Sequence, residues 1–130
     1  MLNVKGKEYY VPVSSYKIKK PDNFLIRVNN GKVTSSLRFN YMFPIPKELV
    51  TIRDIAGEPD RAYKRLLLQE LECCVNNQTL IHKLAERTYN RVLLGKNLGL
   101  VANACDFRLL EEKCAEYCKN NNIEIPQTCK

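Results

Sequence analysis

The sequence predicts an α+β domain in which an antiparallel sheet comes first and helices follow. Residues 1–58 hold short runs of Val, Ile, Tyr and Phe separated by Gly, Pro and Asn, the pattern of strands joined by turns. From Asp60 onward the apolar residues recur at helical spacing instead. Five short strands with turns between most of them suit a small, partly closed antiparallel barrel better than an open sheet, because closure removes exposed edges.

Leu2–Val4 and residues 9–11 flank Lys5-Gly6-Lys7, where glycine supplies the positive φ of a tight hairpin. Residues 7–13 continue as a strand and end in Ser14-Ser15-Tyr16-Lys17; Pro21-Asp22-Asn23 then breaks any regular structure. Residues 24–28 form the next strand. Asn29-Asn30-Gly31 after it is the strongest hairpin signal in the chain, with residues 32–34 as its partner. Residues 37–43 are expected as a further strand, with Leu37, Phe39, Tyr41 and Phe43 on one face and Arg38, Asn40 and Met42 on the other. Pro44 and Pro46 end it, and residues 49–52 offer a last short strand before Gly57 and Pro59.

A first helix carries Ala62, Leu66, Leu67, Leu68, Leu71 and Val75 as a broad apolar stripe, with Asp60 beside its positive N-terminus. A second spans Gln78–Leu94, with Leu80, Ile81, Leu84, Ala85, Thr88, Val92 and Leu93 inward and Gly95 as its stop. Its polar face carries Lys83, Arg87 and Arg91, a row that suits either solvent or RNA. A third opens on Asp106 as N-cap, uses Phe107, Leu110, Cys114 and Tyr117 or Cys118 at helical spacing, and fades at Asn120-Asn121-Asn122.

With 130 residues the chain suits one domain, residues 1–130. No apolar run approaches the ~20 residues of a membrane span, and none follows Met1 as a signal peptide would require, so a cytoplasmic protein is expected. Twenty-one Lys and Arg against 14 Asp and Glu leave a net charge of +7, which favours a polyanionic partner. Residues 1–58 carry 10 basic and 5 acidic residues, residues 59–130 carry 11 and 9. The excess therefore sits in the strand-rich half, where a phosphate backbone would need it; modest basicity also serves solubility.

Six cysteines could suggest a disulfide framework, but none lies in the first 72 residues, and Cys73-Cys74 and Cys114-x-x-x-Cys118 fall in helical patterns. Free, partly buried thiols are expected. Zinc would want a paired C-x-x-C, which is missing, and the only histidine is His82, a packing or surface residue among Leu80, Ile81 and Leu84. No glycine-rich phosphate loop, H-E-x-x-H or paired acidic metal motif occurs, so neither metal nor cofactor is expected.

The candidate for chemistry is Ser14-Ser15-Tyr16-Lys17, where two hydroxyls and an amine at a strand end can meet one phosphodiester from one side. The plainer reading is a strand end whose serines cap loose backbone groups and whose lysines are solvated.

Four blocks extend that candidate: Val11-Pro12-Val13-Ser14-Ser15-Tyr16-Lys17, Asn40-Tyr41-Met42-Phe43-Pro44-Ile45, Tyr63-Lys64-Arg65-Leu66-Leu67 and Phe107-Arg108-Leu109-Leu110-Glu111-Glu112-Lys113. In this order they resemble the ToxN/AbiQ family, the toxins of type III toxin-antitoxin systems. The resemblance implies a metal-independent endoribonuclease on a barrel like that of the MazF/Kid toxins, active in growth arrest and phage defence. It also implies inhibition by a pseudoknotted RNA antitoxin in a closed protein–RNA ring, with cellular or phage RNA as substrate. The family's hydroxyl-hydroxyl-x-Lys motif falls on Ser14, Ser15 and Lys17 as catalytic residues. RNA contacts are expected from Lys19 and Lys20 beside the corner, from Arg38 and Asn40, and from Tyr63 and Lys64. Relative to the family the chain is expected to lack an N-terminal segment that supplies a first strand.

RNA can be cut without metal because its own 2′-hydroxyl attacks the adjacent phosphorus, leaving the protein to align groups and stabilise charge. Lys17 would stabilise the phosphorane or protonate the leaving 5′-oxygen, and the serines would hold non-bridging oxygens; no residue is assigned as the base. The rival readings are a non-catalytic RNA-binding module with a basic barrel face and a zinc-stabilised interaction protein.

Overall fold

The computed structural model describes residues 2–4, 6–29, 31–95 and 104–121; the expected turn positions Lys5 and Asn30, together with Asn122 and Cys129, lie outside them. The strands are β1 (Leu2–Val4), β2 (Lys7–Tyr10), β3 (Val13–Ser14), β4 (Asn23–Arg27), β5 (Val33–Arg38) and β6 (Phe43–Pro44). The helices are α1 (Arg61–Asn76), α2 (Gln78–Leu94) and α3 (Phe107–Asn120), and 3-10 turns occupy Phe39–Tyr41 and Lys47–Leu49. The class is α+β, with two three-stranded antiparallel sheets ordered β1-β2-β6 and β3-β5-β4.

The first hairpin pairs Leu2 with Tyr9 and Val4 with Lys7. Gly6, at φ 81, makes the turn and donates its N–H to Asn3 Oδ1 at 3.0 Å. In the second sheet β5 is central, pairing Ser14 with Ser36 on one side and Phe24 with Leu37 on the other. The chain passes from the first sheet to the second at Val11-Pro12 and returns through the turn Phe39–Tyr41.

That return corrects the strand expected over residues 37–43. Pairing with β4 stops at Arg38, and the backbone then tightens, with Met42 N–H donating to Phe39 O at 3.2 Å. Phe39 and Met42, three residues apart, are both fully buried; a period of two cannot place both in one core. The strand expected over residues 49–52 is likewise replaced by the turn Lys47–Leu49, beyond which Ile52 is 91% exposed. Pro44 and Pro46 have no N–H to extend a ladder.

The helices begin and end where their caps dictate. Asp60 accepts from Tyr63 N–H and Asp106 from Leu109 N–H, each at 3.1 Å. Gly95, at φ 64, closes α2 by donating to Arg91 O and Val92 O. α2 buries Ile81, Ala85, Thr88 and Tyr89, whereas Leu80, expected inward, is half exposed. No residue of α1 is fully buried; it is fastened to β5 by Glu70 Oε2, which accepts from Thr34 Oγ1 at 2.7 Å and Ser35 Oγ at 2.5 Å. The five described cysteines are free thiols, as expected.

One carboxylate joins the first sheet to α2 and α3. Glu111, its side chain 9% exposed, accepts at Oε2 from Tyr9 OH at 2.5 Å and Tyr89 OH at 2.8 Å, and at Oε1 from Lys7 Nζ at 3.2 Å. Tyr9 and Phe107 are fully buried around it; Phe107 stacks on Tyr89 at 5.4 Å and meets Tyr9 edge-on at 5.8 Å.

Glu111→Ala leaves two buried phenols without their acceptor and should lower stability by about 2–4 kcal/mol, read as a lower urea midpoint at unchanged slope. A loss below about 1 kcal/mol, the range of an exposed pair, would remove Glu111 from this role. The same cluster sets an alkaline limit. Burial first, then the hydrogen bond to Glu111, push the Tyr89 phenol up to about 12, and Tyr9 is raised by the same causes. The fold disfavours phenolate, so this stabilisation is complete below the ordinary tyrosine value of about 10 and lost as pH rises through the folded value. Urea unfolding should show stability declining above about pH 10, less steeply in Tyr89→Phe; parallel pH curves for the two proteins would contradict this.

Candidate active site

The Ser-Ser-x-Lys corner lies where β3 runs out along β5. Arg38 N–H donates to Pro12 O at 3.2 Å, and the pairs Val13–Leu37 and Ser14–Ser36 continue the ladder. The chain then turns on a serine hydroxyl: Ser14 Oγ accepts from Tyr16 N–H at 3.1 Å, the local turn that favours serine at strand ends. On the other side of the same residue, the fully buried Ser36 donates its hydroxyl to Tyr16 O at 2.6 Å. Both backbone polar groups of Tyr16 are thereby engaged.

Ser15 and Lys17 flank that pinned residue and are exposed, and Ser14 is half-buried. Among the described residues no side-chain hydrogen bond or ion pair engages Ser15 or Lys17, so hydroxyl and ammonium are available to a ligand. The plainer reading accounts for Ser14, which caps the turn, and equally for an exposed Lys17; exposure leaves Ser15 and Lys17 open to a ligand without choosing between the two readings.

Beyond the corner, buried Asn23 shapes the loop. Its Nδ2 donates to Ile18 O at 2.9 Å, and its Oδ1 accepts from Lys20 N–H at 2.9 Å. Arg87, from the basic row of α2, donates Nη2 to Pro21 O at 2.8 Å, so that row serves in part to anchor the loop. Lys19 is drawn into the same framework, its Nζ donating to Asn23 O at 3.0 Å, while Lys20 is exposed.

The other residues expected to contact RNA are distributed unevenly. Arg38 lies beside the corner, its guanidinium carbon 4.5 Å from the Tyr16 ring centre and 5.0 Å from that of Tyr41. Asn40 is buried in the turn Phe39–Tyr41, where its carbonyl accepts from Cys105 N–H at 2.8 Å. Tyr63 is exposed at the start of α1 beneath Arg53, 5.3 Å from its ring centre, and Arg53 in turn pairs with Glu58. Among the described residues no hydrogen bond, ion pair or ring contact links Tyr63 or Lys64 to the corner. Sequence reasoning did not single out Tyr16, Ser36, Tyr41 or Asn23. Ser36 follows Ser35 in the mixed stretch Val33-Thr34-Ser35-Ser36-Leu37, which gives no local signal of its burial.

His82 stands apart from this corner, with Nε2 2.5 Å from Asn3 O and 3.8 Å from Glu86 Oε1, which fits its expected packing or surface role. Among the described residues no three His, Cys, Asp or Glu gather as metal ligands, and no helix is long and apolar enough to cross a membrane. The corner can thus offer two hydroxyls, an ammonium and a guanidinium to an anionic group.

The family model for Toxin ToxN, type III toxin-antitoxin system, matches residues 1–115. Endoribonuclease ToxN of Pectobacterium atrosepticum is 27% identical over 128 residues, covering 92% of this chain and 72% of that protein. Endoribonuclease ToxN of Bacillus thuringiensis subsp. kurstaki is 31% identical over 127 residues, covering 88% and 64% respectively. Among solved structures, the toxin of a bacterial type III system selectively inhibited by a non-coding RNA pseudoknot matches with a TM-score of 0.79 at 28% identity, covering 88% of this chain and 74% of that one. AbiQ, a lactococcal anti-phage endoribonuclease of the type III toxin-antitoxin class, matches with a TM-score of 0.76 at 18% identity over 91% of this chain and 76% of its own, a likeness of fold. Over most of its length, then, the chain shares both sequence and fold with these toxins, and it belongs to the ToxN family of type III toxin-antitoxin systems.

Proposed function

We propose that the chain is a metal-independent endoribonuclease toxin whose reaction centre is Ser14, Ser15 and Lys17. The observation that carries this is the pinned Tyr16 peptide, which presents an exposed hydroxyl and an exposed, unpaired ammonium on one turn. The relatives named as endoribonucleases support it. The RNA 2′-oxygen attacks the adjacent phosphorus and the bond to the 5′-oxygen breaks, giving a 2′,3′-cyclic phosphate and a 5′-hydroxyl. Ser14 and Ser15 donate to the non-bridging oxygens. Lys17 stabilises the charge of the phosphorane or passes a proton to the departing oxygen.

The same reading takes residues 1–130 as one cytoplasmic domain, with its two sheets as sides of a partly closed barrel. The short crossings at Val11-Pro12 and Phe39–Tyr41 support that closure. An RNA pseudoknot is the inhibitor, held with the toxin in a closed ring, and cellular or phage RNA is the substrate. The RNA-inhibited toxin structure supports the partner, and the net charge of +7 suits it.

Single-turnover cleavage in EDTA tests this. Wild type should cut, and Lys17→Ala should be slower by roughly 10² to 10³, the usual effect of one lost electrostatic donor, with little change in affinity for antitoxin RNA. Lys20→Ala should instead weaken binding and flatten its salt dependence by about one unit of slope while sparing the bound-state rate. Activity lost on chelation and restored by magnesium would reject the mechanism; RNA binding without any cleavage would leave the basic-face binding module.

A further inference from the structure

We infer that Arg38, packed against the rings of Tyr16 and Tyr41, is a pre-oriented phosphate fork of the corner, gripping RNA backbone phosphate end-on through its Nη groups. This rests on the reading of the corner as a phosphodiester site. Ser14 and Ser36 are directly paired, so their side chains share a face of the sheet, and Arg38, two residues on from Ser36, lies on that face. Ser14 and Arg38 are therefore diagonal neighbours, roughly 7 Å apart at the backbone. An RNA strand engaged at the serines passes within reach of the guanidinium.

The guanidinium is held in an unusual way. A tyrosine ring lies against it at 4.5 Å and another at 5.0 Å, and Nε is shielded from solvent without a hydrogen-bond partner. No carboxylate among the described residues forms an ion pair with it. Ring contacts fix the plane of a guanidinium without consuming its donors. Fastening Tyr16 to the turn Phe39–Tyr41 needs only an apolar side chain; a cation left unneutralised there implies an anion that arrives later. Bidentate recognition of phosphate is the geometry that a planar, immobilised fork performs best. Tyr16 sits between Ser15 and Lys17, so the stack that orients Arg38 also fixes the residue around which the reactive groups turn.

The test is salt-dependent binding of a short 2′-O-methyl RNA oligonucleotide, which has no free 2′-hydroxyl and cannot be cut by this route. Arg38→Ala should weaken binding about tenfold to a hundredfold and reduce the salt slope by about 0.7, the value for one single-strand phosphate contact. Arg38→Lys should keep the slope and lose most of the same affinity, because charge remains and the planar fork does not. Tyr41→Leu, which keeps apolar bulk without the ring, should weaken binding severalfold at unchanged slope. Thermal unfolding of each variant accompanies the titrations, and Arg38→Gln, planar but neutral, replaces Arg38→Ala if the latter unfolds. Wild-type affinity in Arg38→Ala or Arg38→Gln, or full affinity in Arg38→Lys, would overturn the fork. Cleavage of unmodified RNA is scored separately: binding losses as described without wild-type cleavage would uphold the fork and sink the nuclease, and the converse would do the opposite.

Discussion

Three parts of the chain distant in sequence converge on the carboxylate of Glu111. It collects Lys7 and Tyr9 from β2 and Tyr89 from α2 onto α3, at a point where the surrounding rings of Tyr9, Tyr89 and Phe107 exclude water. An anion in such a place is tolerated only because its oxygens are supplied with donors, and the donors are tolerable there only because the anion accepts them. The consequence reaches the candidate site by a short route. β2 is the strand that leads through Val11-Pro12 into β3, so fixing Tyr9 fixes the approach of the chain to Ser14.

At the corner itself the same logic operates on a smaller scale. Ser36 is a fully buried polar residue in a central strand, and its hydroxyl is spent on one carbonyl, that of Tyr16. Asn23 performs the matching task for the loop beyond. The proposed reactive groups are thus carried on irregular backbone that hydrogen bonds from Ser14, Ser36 and Asn23 tie to the sheet. The metal-free phosphoryl transfer proposed for this corner depends on such placement.

What could be read from residues alone was what local chemistry decides. Asp60, Gly95 and Asp106 mark helix ends through their own side chains or φ values, and those boundaries stand. Ser14, Ser15 and Lys17 stand out as a motif; the structure shows Ser14 capping its turn and leaves Ser15 and Lys17 exposed. The turn Phe39–Tyr41 was hidden because alternation over residues 37–43 looks like a strand until a shared core claims both Phe39 and Met42. Leu80 was placed inward by spacing and lies outward because α2 presents Ala85 and Tyr89 to the core along a slightly rotated face. Glu111 and Tyr89 carried no local signal at all: an acid and a phenol on helices read as solvent-facing until their partners from β2 are in place. Tyr16 and Tyr41 escaped because Arg38 meets Tyr16 only through the pairing of β3 with β5, and meets Tyr41 only through the turn that replaces the expected strand.

The central claim is that this scaffold positions RNA so that the RNA supplies its own nucleophile. The most direct measurement maps the cleaved bond in a defined RNA and then replaces the 2′-hydroxyl of that one nucleotide by hydrogen. The account predicts that the modified strand binds as before and stays intact at that bond, while the parent yields a 2′,3′-cyclic phosphate and a 5′-hydroxyl. Cutting of the deoxy-substituted bond at the parent rate would contradict it.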